Sequence, residues 1–78
     1  MLVITITDMG RNRFSYALAQ NGKVQSIGHD AGVGPSAAAA KAITLAMSYA
    51  NIRYVIIAPK NVLDFIPQEI QSGVWNSK

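Results

Sequence analysis

The stretch Gly32-Val33-Gly34-Pro35-Ser36-Ala37-Ala38-Ala39-Ala40-Lys41-Ala42 has the outline of a phosphate-gripping loop that runs into a helix. Glycines let a backbone approach an anion, and the free N–H groups of a helix's first turn point at it. Yet residues 37–40, where a cation or a catalytic group would be sought, are all alanine. The same residues suit a purely structural job: glycines for the turn and proline for the first helical position. Other candidates for chemistry are sparse. Asp8 closes an apolar run, where a metal-binding carboxylate could sit, but the remaining acids are only Asp30, Asp64 and Glu69. His29 and Asp30 are adjacent, and neighbours on a strand point to opposite faces. Ser15, Ser26, Ser36, Ser48, Ser72 and Ser77 have one histidine among them to activate a hydroxyl. No cysteine is present, so a thiolate nucleophile, a thiolate zinc site and a disulfide framework are all ruled out. The residues point away from catalysis, cofactors and metals, and toward a protein that works by occupying a surface.

A chain of 78 residues is expected to form a single small domain over residues 1–78. At this size folding buries only about 60% of the surface that the unfolded chain exposes. Half of the residues are apolar and 14% are charged, unlike a disordered tail. The run Leu2–Thr7 is too short for a signal-peptide core and has no basic leader. The alanine-rich segment is broken well short of a membrane span. These features predict a soluble protein. The net charge of +3 comes from seven cations spread along the chain, which fits a solvated surface better than a nucleic-acid patch.

The elements that would position any site follow from local pattern. Leu2–Thr7 is β-branched and reads as a first strand. Residues 8–13 read as a polar turn, and Phe14–Gln20 as a second strand with Phe14, Tyr16 and Leu18 on its buried face. Asn21-Gly22 is a type I′ hairpin signal. It pairs Gln20 with Lys23, Leu18 with Gln25 and Tyr16 with Ile27, in a third strand from Lys23 to about His29. A helix follows from Pro35, with Ser36 as an alternative N-cap. Its apolar stripe is Ala39, Ile43, Met47 and Ala50, widened by Ala38, Ala42, Leu45 and Tyr49, and Asn51 suits a left-handed terminator. Ile52–Ala58 reads as a fourth strand. Asn61 is placed to cap a short helix Val62–Ile66, and a further turn spans residues 68–72. The fold class is therefore α+β, in the order β-β-β-α-β. An antiparallel meander carries one amphipathic helix on one face, with the fourth strand parallel to the first and sheet order 3-2-1-4. Strands three and four would be the sheet edges, and an open edge leaves room for a homodimer.

Three relatives share parts of this pattern. The β-β-β-α-β order is similar to that of ribonuclease H-like nucleases. Those enzymes hold two metal ions with carboxylates from strand one, the helix and strand four. Here the helix has no acid and strand four ends in Ala58-Pro59, so that activity is rejected. The opening stretch resembles the second-helix signature of double-stranded-RNA-binding domains, G-x-G-x-S-K-K-x-A-K. Gly32, Gly34, Ser36, Ala40 and Lys41 match, but Ala37 and Ala38 replace the phosphate-gripping lysine pair, which removes much of the electrostatic affinity. Direct nucleic-acid binding is thus the minority reading. The HicB-type antitoxin domain shares strand order alone.

One resemblance covers most of the chain. The Asn-Gly hairpin, Ala37–Ala42, Tyr54–Ile56, and Val62-Leu63 with Phe65-Ile66-Pro67 resemble a phage anti-CRISPR family, the fifth-numbered family of inhibitors of the type I-F system. The match runs from about Gly22 to Ile70, and the Val62–Pro67 segment is its most specific part. The resemblance implies a non-enzymatic inhibitor in the cytoplasm of the host bacterium. It implies binding to protein subunits of the RNA-guided surveillance complex, when that complex is engaged on DNA, and a block on recruitment of the helicase–nuclease. It carries no contact residues across. From residue type alone, candidates for partner binding are Arg11 and Arg13 on the first turn, Lys60 and Asn61 after strand four, and Trp75 in the tail. Trp75 is also suited to packing on the core.

Overall fold

In the computed structural model, which describes residues 1–76, alternation decides which face of each strand is buried. Strand β1, Leu2–Gly10, turns Leu2, Ile4 and Ile6 into the core and its odd-numbered residues to the other side. Strand β2, Arg13–Gln20, pairs antiparallel with it and turns Phe14 and Leu18 to the same core, with Tyr16 packed at its margin. The connection between them is shorter than the polar turn expected over residues 8–13. Only Arg11 and Asn12 lie outside the strands, both with positive φ (54° and 63°), the signature of a type I′ turn. The Asp8 carboxylate accepts the Gly10 N–H at 2.8 Å beside a register shift, and this lets β1 run on to the turn.

Asn21 and Gly22 form the second tight turn, with φ of 53° and 81°. Strand β3, Lys23–Gly28, then pairs with β2 in the expected register for only two residues: Gln20 with Lys23 and Ala19 with Val24. A bulge follows. Beyond it Leu18 faces Ser26, Ala17 faces Ile27 and Tyr16 faces Gly28, which replaces the expected pairs Leu18–Gln25 and Tyr16–Ile27. One extra residue in a strand reverses the faces of those after it. Ile27 therefore lies on the side of the sheet away from the helix and is 63% exposed. Gly28 instead sits under the Tyr16 ring, which occupies the space a side chain there would take.

Helix α1, Pro35–Ser48, has Gly34 at its N-cap and Pro35 in its first turn, and Ser36 makes no cap. Its buried face is Ala38, Ala39, Ala42 and Ala46. Ile43, Leu45 and Tyr49 flank that face half-buried, whereas Met47, expected on the stripe, is 49% exposed. The sheet-facing line runs through small side chains, so the helix axis can approach the strands closely. Thr44 and Ser48 on the solvent side return their hydroxyls to the carbonyls of Ala40 and Thr44. Asn51 has φ 67°, as a left-handed terminator should.

Strand β4, Arg53–Ile57, lies parallel to β1, pairing Leu2 with Tyr54 through Thr5 with Ile57. The short helix α2, Lys60–Leu63, starts two residues before the expected one and is not capped by Asn61. The Pro59 carbonyl receives the N–H groups of Val62 and Leu63. A 3₁₀ turn over Gln68–Ile70 leads to strand β5, Ser72–Val74, antiparallel to β4. The sheet order is β3-β2-β1-β4-β5. The expected order 3-2-1-4 is present within it, but β4 is interior rather than an edge. The fold is α+β, with one main helix on one face of a mixed sheet. Leu2, Ile4, Phe14 and Val62 are the largest fully buried side chains. Among the described residues no helix is long and apolar enough to cross a membrane.

Candidate binding surfaces

The glycine loop is fastened to the meander by its backbone. The Ala31 N–H donates to the Phe14 carbonyl at 2.9 Å, and the Gly34 N–H donates to the Asn12 carbonyl at 2.8 Å. Val33 bridges to Arg13 between them, and the Asp30 carboxylate accepts the Gly32 N–H at 3.0 Å. Gly32 and Gly34 have φ of 103° and 92°, which other residues adopt only with strain. A Cβ at Gly32 would lie 2.7 Å from the Cβ of Ala37. Two of the N–H groups that a phosphate would use are thus occupied, and the glycines are explained by the turn and by contact with the helix. Lys41, the one cation matching the RNA-binding signature, places its ammonium 4.9 Å from the Tyr16 ring centroid, a cation–π distance.

The other polar candidates also have local duties. Asp8 and Asp30 each accept a backbone N–H two residues on, as turn carboxylates do. His29 is exposed just past the end of β3. Among the described residues no three of His, Cys, Asp and Glu converge on one point. Tyr54 is buried, and its hydroxyl donates to the Ile70 carbonyl at 2.7 Å. Burial raises its pKa above the ordinary value.

The five residues singled out from sequence do not form one surface. Arg11 and Arg13 are exposed at the tip of the β1–β2 hairpin. The last β1–β4 pair is Thr5 with Ile57, so β1 runs about 17 Å past that point at ~3.4 Å per residue before the tip. Lys60 and Asn61 are exposed after the C-terminal end of β4. The Lys60 ammonium pairs with Asp64 at 3.1 Å, one helical turn on, with both groups largely in solvent. Such a pair contributes only a few tenths of a kcal/mol. Trp75 lies at the opposite end of the sheet, half-buried against the core, and its carbonyl accepts the Asn51 N–H at 2.7 Å.

Two apolar features escaped the sequence reading. Phe65 follows α2 and is 55% exposed, while Val62 and Ile66 on either side of it are buried. The spacing gives no signal of this, since residues three and four apart on a helix are neighbours and Phe65 is three from Val62. The second is the sheet face opposite the helix. Directly paired residues share a face, so Ile27, Ala17, Thr5 and Ile57 form one row across four strands, and Val24, Ala19, Val3 and Val55 form the next. Val24 holds its place in the expected register, but the place of Ile27 depends on a bulge that no residue type announces. Comparison of the chain with protein-family models and with curated proteins gives no match.

Proposed function

We propose that this protein is a non-enzymatic phage inhibitor of bacterial type I-F CRISPR-Cas immunity, acting in the host cytoplasm. In this reading it binds protein subunits of the RNA-guided surveillance complex when that complex is engaged on DNA. It thereby blocks recruitment of the helicase–nuclease. The observation that carries the reading is the set of segments resembling that inhibitor family, above all Val62-Leu63 with Phe65-Ile66-Pro67. Packing accounts for most of those residues: Ala38, Ala39, Ala42, Tyr54, Ile56, Val62 and Ile66 all serve the core. Phe65 does not, and an aromatic ring more than half in solvent on a short, hydrogen-bonded turn has the character of a contact residue. Arg11 and Arg13 offer a second contact at the hairpin tip.

The test is binding of the purified protein to a purified surveillance complex, with and without target DNA, beside a plaque assay in a CRISPR-immune host. The proposal expects binding to the DNA-engaged complex and rescue of the phage. It expects both to fall in Phe65→Ala or in the Arg11→Glu, Arg13→Glu pair, with the fold unchanged. Absence of binding and of rescue by the unaltered protein would refute it. Salt-sensitive binding to bare duplex RNA would instead favour a nucleic-acid-binding module, a reading that the engaged Lys41 and the occupied N–H groups of the glycine loop weaken.

A further inference from the structure

The helix covers one side of the sheet, and among the described residues nothing covers the other. On that open side Val24, Ile27 and Ile57 are each more than half exposed, beside half-buried Val3 and Val55. By alternation the charged side chains there are Arg13 and Arg53, near opposite ends of the sheet, with none between them. An apolar centre free of charge with arginine at its rim is the composition of a protein interface.

We propose that this face docks a second copy of the same chain, sheet on sheet. Charge argues for a copy. The chain carries a net +3, and a face whose middle holds no cation is where two identical molecules meet with least like-charge repulsion. An acidic or nucleic-acid partner would instead be met by cations in that middle. Area agrees. The molecule measures 35 × 26 × 18 Å, and its broad face is at most about 900 Å², against the ~800 Å² per partner that a stable interface buries. Pairing through the sheet edges is the weaker route. The β3 edge is interrupted by its bulge, and β5 has three residues. The proposal is independent of the inhibitor reading.

Sedimentation equilibrium from micromolar to millimolar protein tests it. The unaltered chain is expected to double in mass as concentration rises. The Ile27→Lys, Ile57→Lys variant, whose new charges lie on exposed positions and leave the monomer's core intact, is expected to stay monomeric with an unchanged circular dichroism spectrum. Ala40→Lys, on the solvent side of the helix, is expected to dimerise like the unaltered chain. The proposal is overturned by an unaltered chain that remains monomeric throughout. It is equally overturned by a double variant that still dimerises, as an edge-paired dimer would, or by loss of the dimer in Ala40→Lys.

Discussion

Replacing Gly32 with alanine separates a structural glycine loop from a ligand-gripping one. At φ 103° an alanine carries backbone strain of about 1–2 kcal/mol. The new Cβ would also stand 2.7 Å from the Ala37 Cβ, closer than side chains approach, and relieving that contact costs roughly another 1–2 kcal/mol. The sum, about 2–4 kcal/mol, is a large part of the ~4–12 kcal/mol expected for a domain of this length. At ~4–8 °C per kcal/mol it lowers the melting temperature by roughly 8–32 °C. Gly34→Ala provides the comparison. Its Cβ would come no nearer than 3.5 Å to Asn12, so only the backbone term applies and the loss is about half as large. Ala37→Gly provides the second control. Alone it weakens the helix start by about 0.5–1 kcal/mol. Combined with Gly32→Ala it removes the contact, so the double variant should be about 1 kcal/mol more stable than the sum of the singles predicts. Urea unfolding of the four variants beside the unaltered chain measures each value. A Gly32→Ala loss below about 0.5 kcal/mol, or strict additivity with Ala37→Gly, would refute the packing argument and return the loop to the list of ligand sites.

Three further outcomes follow from the same geometry. Ala42→Leu forces three extra carbons into the helix–sheet contact and should cost about 1–3 kcal/mol in chemical unfolding, while Ala40→Leu on the exposed side should change stability by less than ~0.5 kcal/mol. Tyr54→Phe leaves the Ile70 carbonyl without its partner and should cost about 1–2 kcal/mol near neutral pH. Because the folded pKa of Tyr54 is raised, its neutral form stabilises the fold at every pH below the unfolded value near 10. That stabilisation is lost as pH climbs toward the folded value, so Tyr54→Phe should flatten the alkaline fall in melting temperature. Deleting Gln25 removes the residue between the two registers of β2 and β3 and leaves the pairs Ala19–Val24 and Ala17–Ile27 compatible with one continuous ladder. The fold should survive by circular dichroism, with faster aggregation from the straightened edge.

The sequence was most legible where one residue type has one physical use. Asn21-Gly22 announces its turn because both positions need positive φ, and Pro35 announces the helix start because it has no N–H to place. The β-branched run before Pro59 announces β4. Legibility failed where backbone alone decides. Arg11-Asn12 makes the same kind of turn as Asn21-Gly22 without a glycine, so β1 looked shorter than it is. The Pro59 carbonyl, not the Asn61 side chain, meets the first N–H groups of α2. Strand β5 has three residues with a glycine in the middle, too few for periodicity to register. The spacing of Met47 points it inward, but the helix rolls so that alanines meet the sheet, because four small side chains permit a closer approach than a larger one would.

Of the surface residues, Arg11 and Arg13 were legible because a hairpin tip has nothing to pack against. Phe65 and Ile27 were not, and for one reason: each sits in a stretch whose pattern allows two assignments of face. For Ile27 the choice is made at the bulge, and its consequence reaches far beyond one pair. Without an extra residue Ile27 would lie under the helix beside Tyr16. With it, Gly28 takes that place, the Tyr16 ring closes over the glycine within reach of Lys41, and an isoleucine is left on the open side in line with Ile57. A single inserted backbone unit thus completes the margin of the core and, by the same displacement, supplies an apolar side chain to the face where we place a second copy.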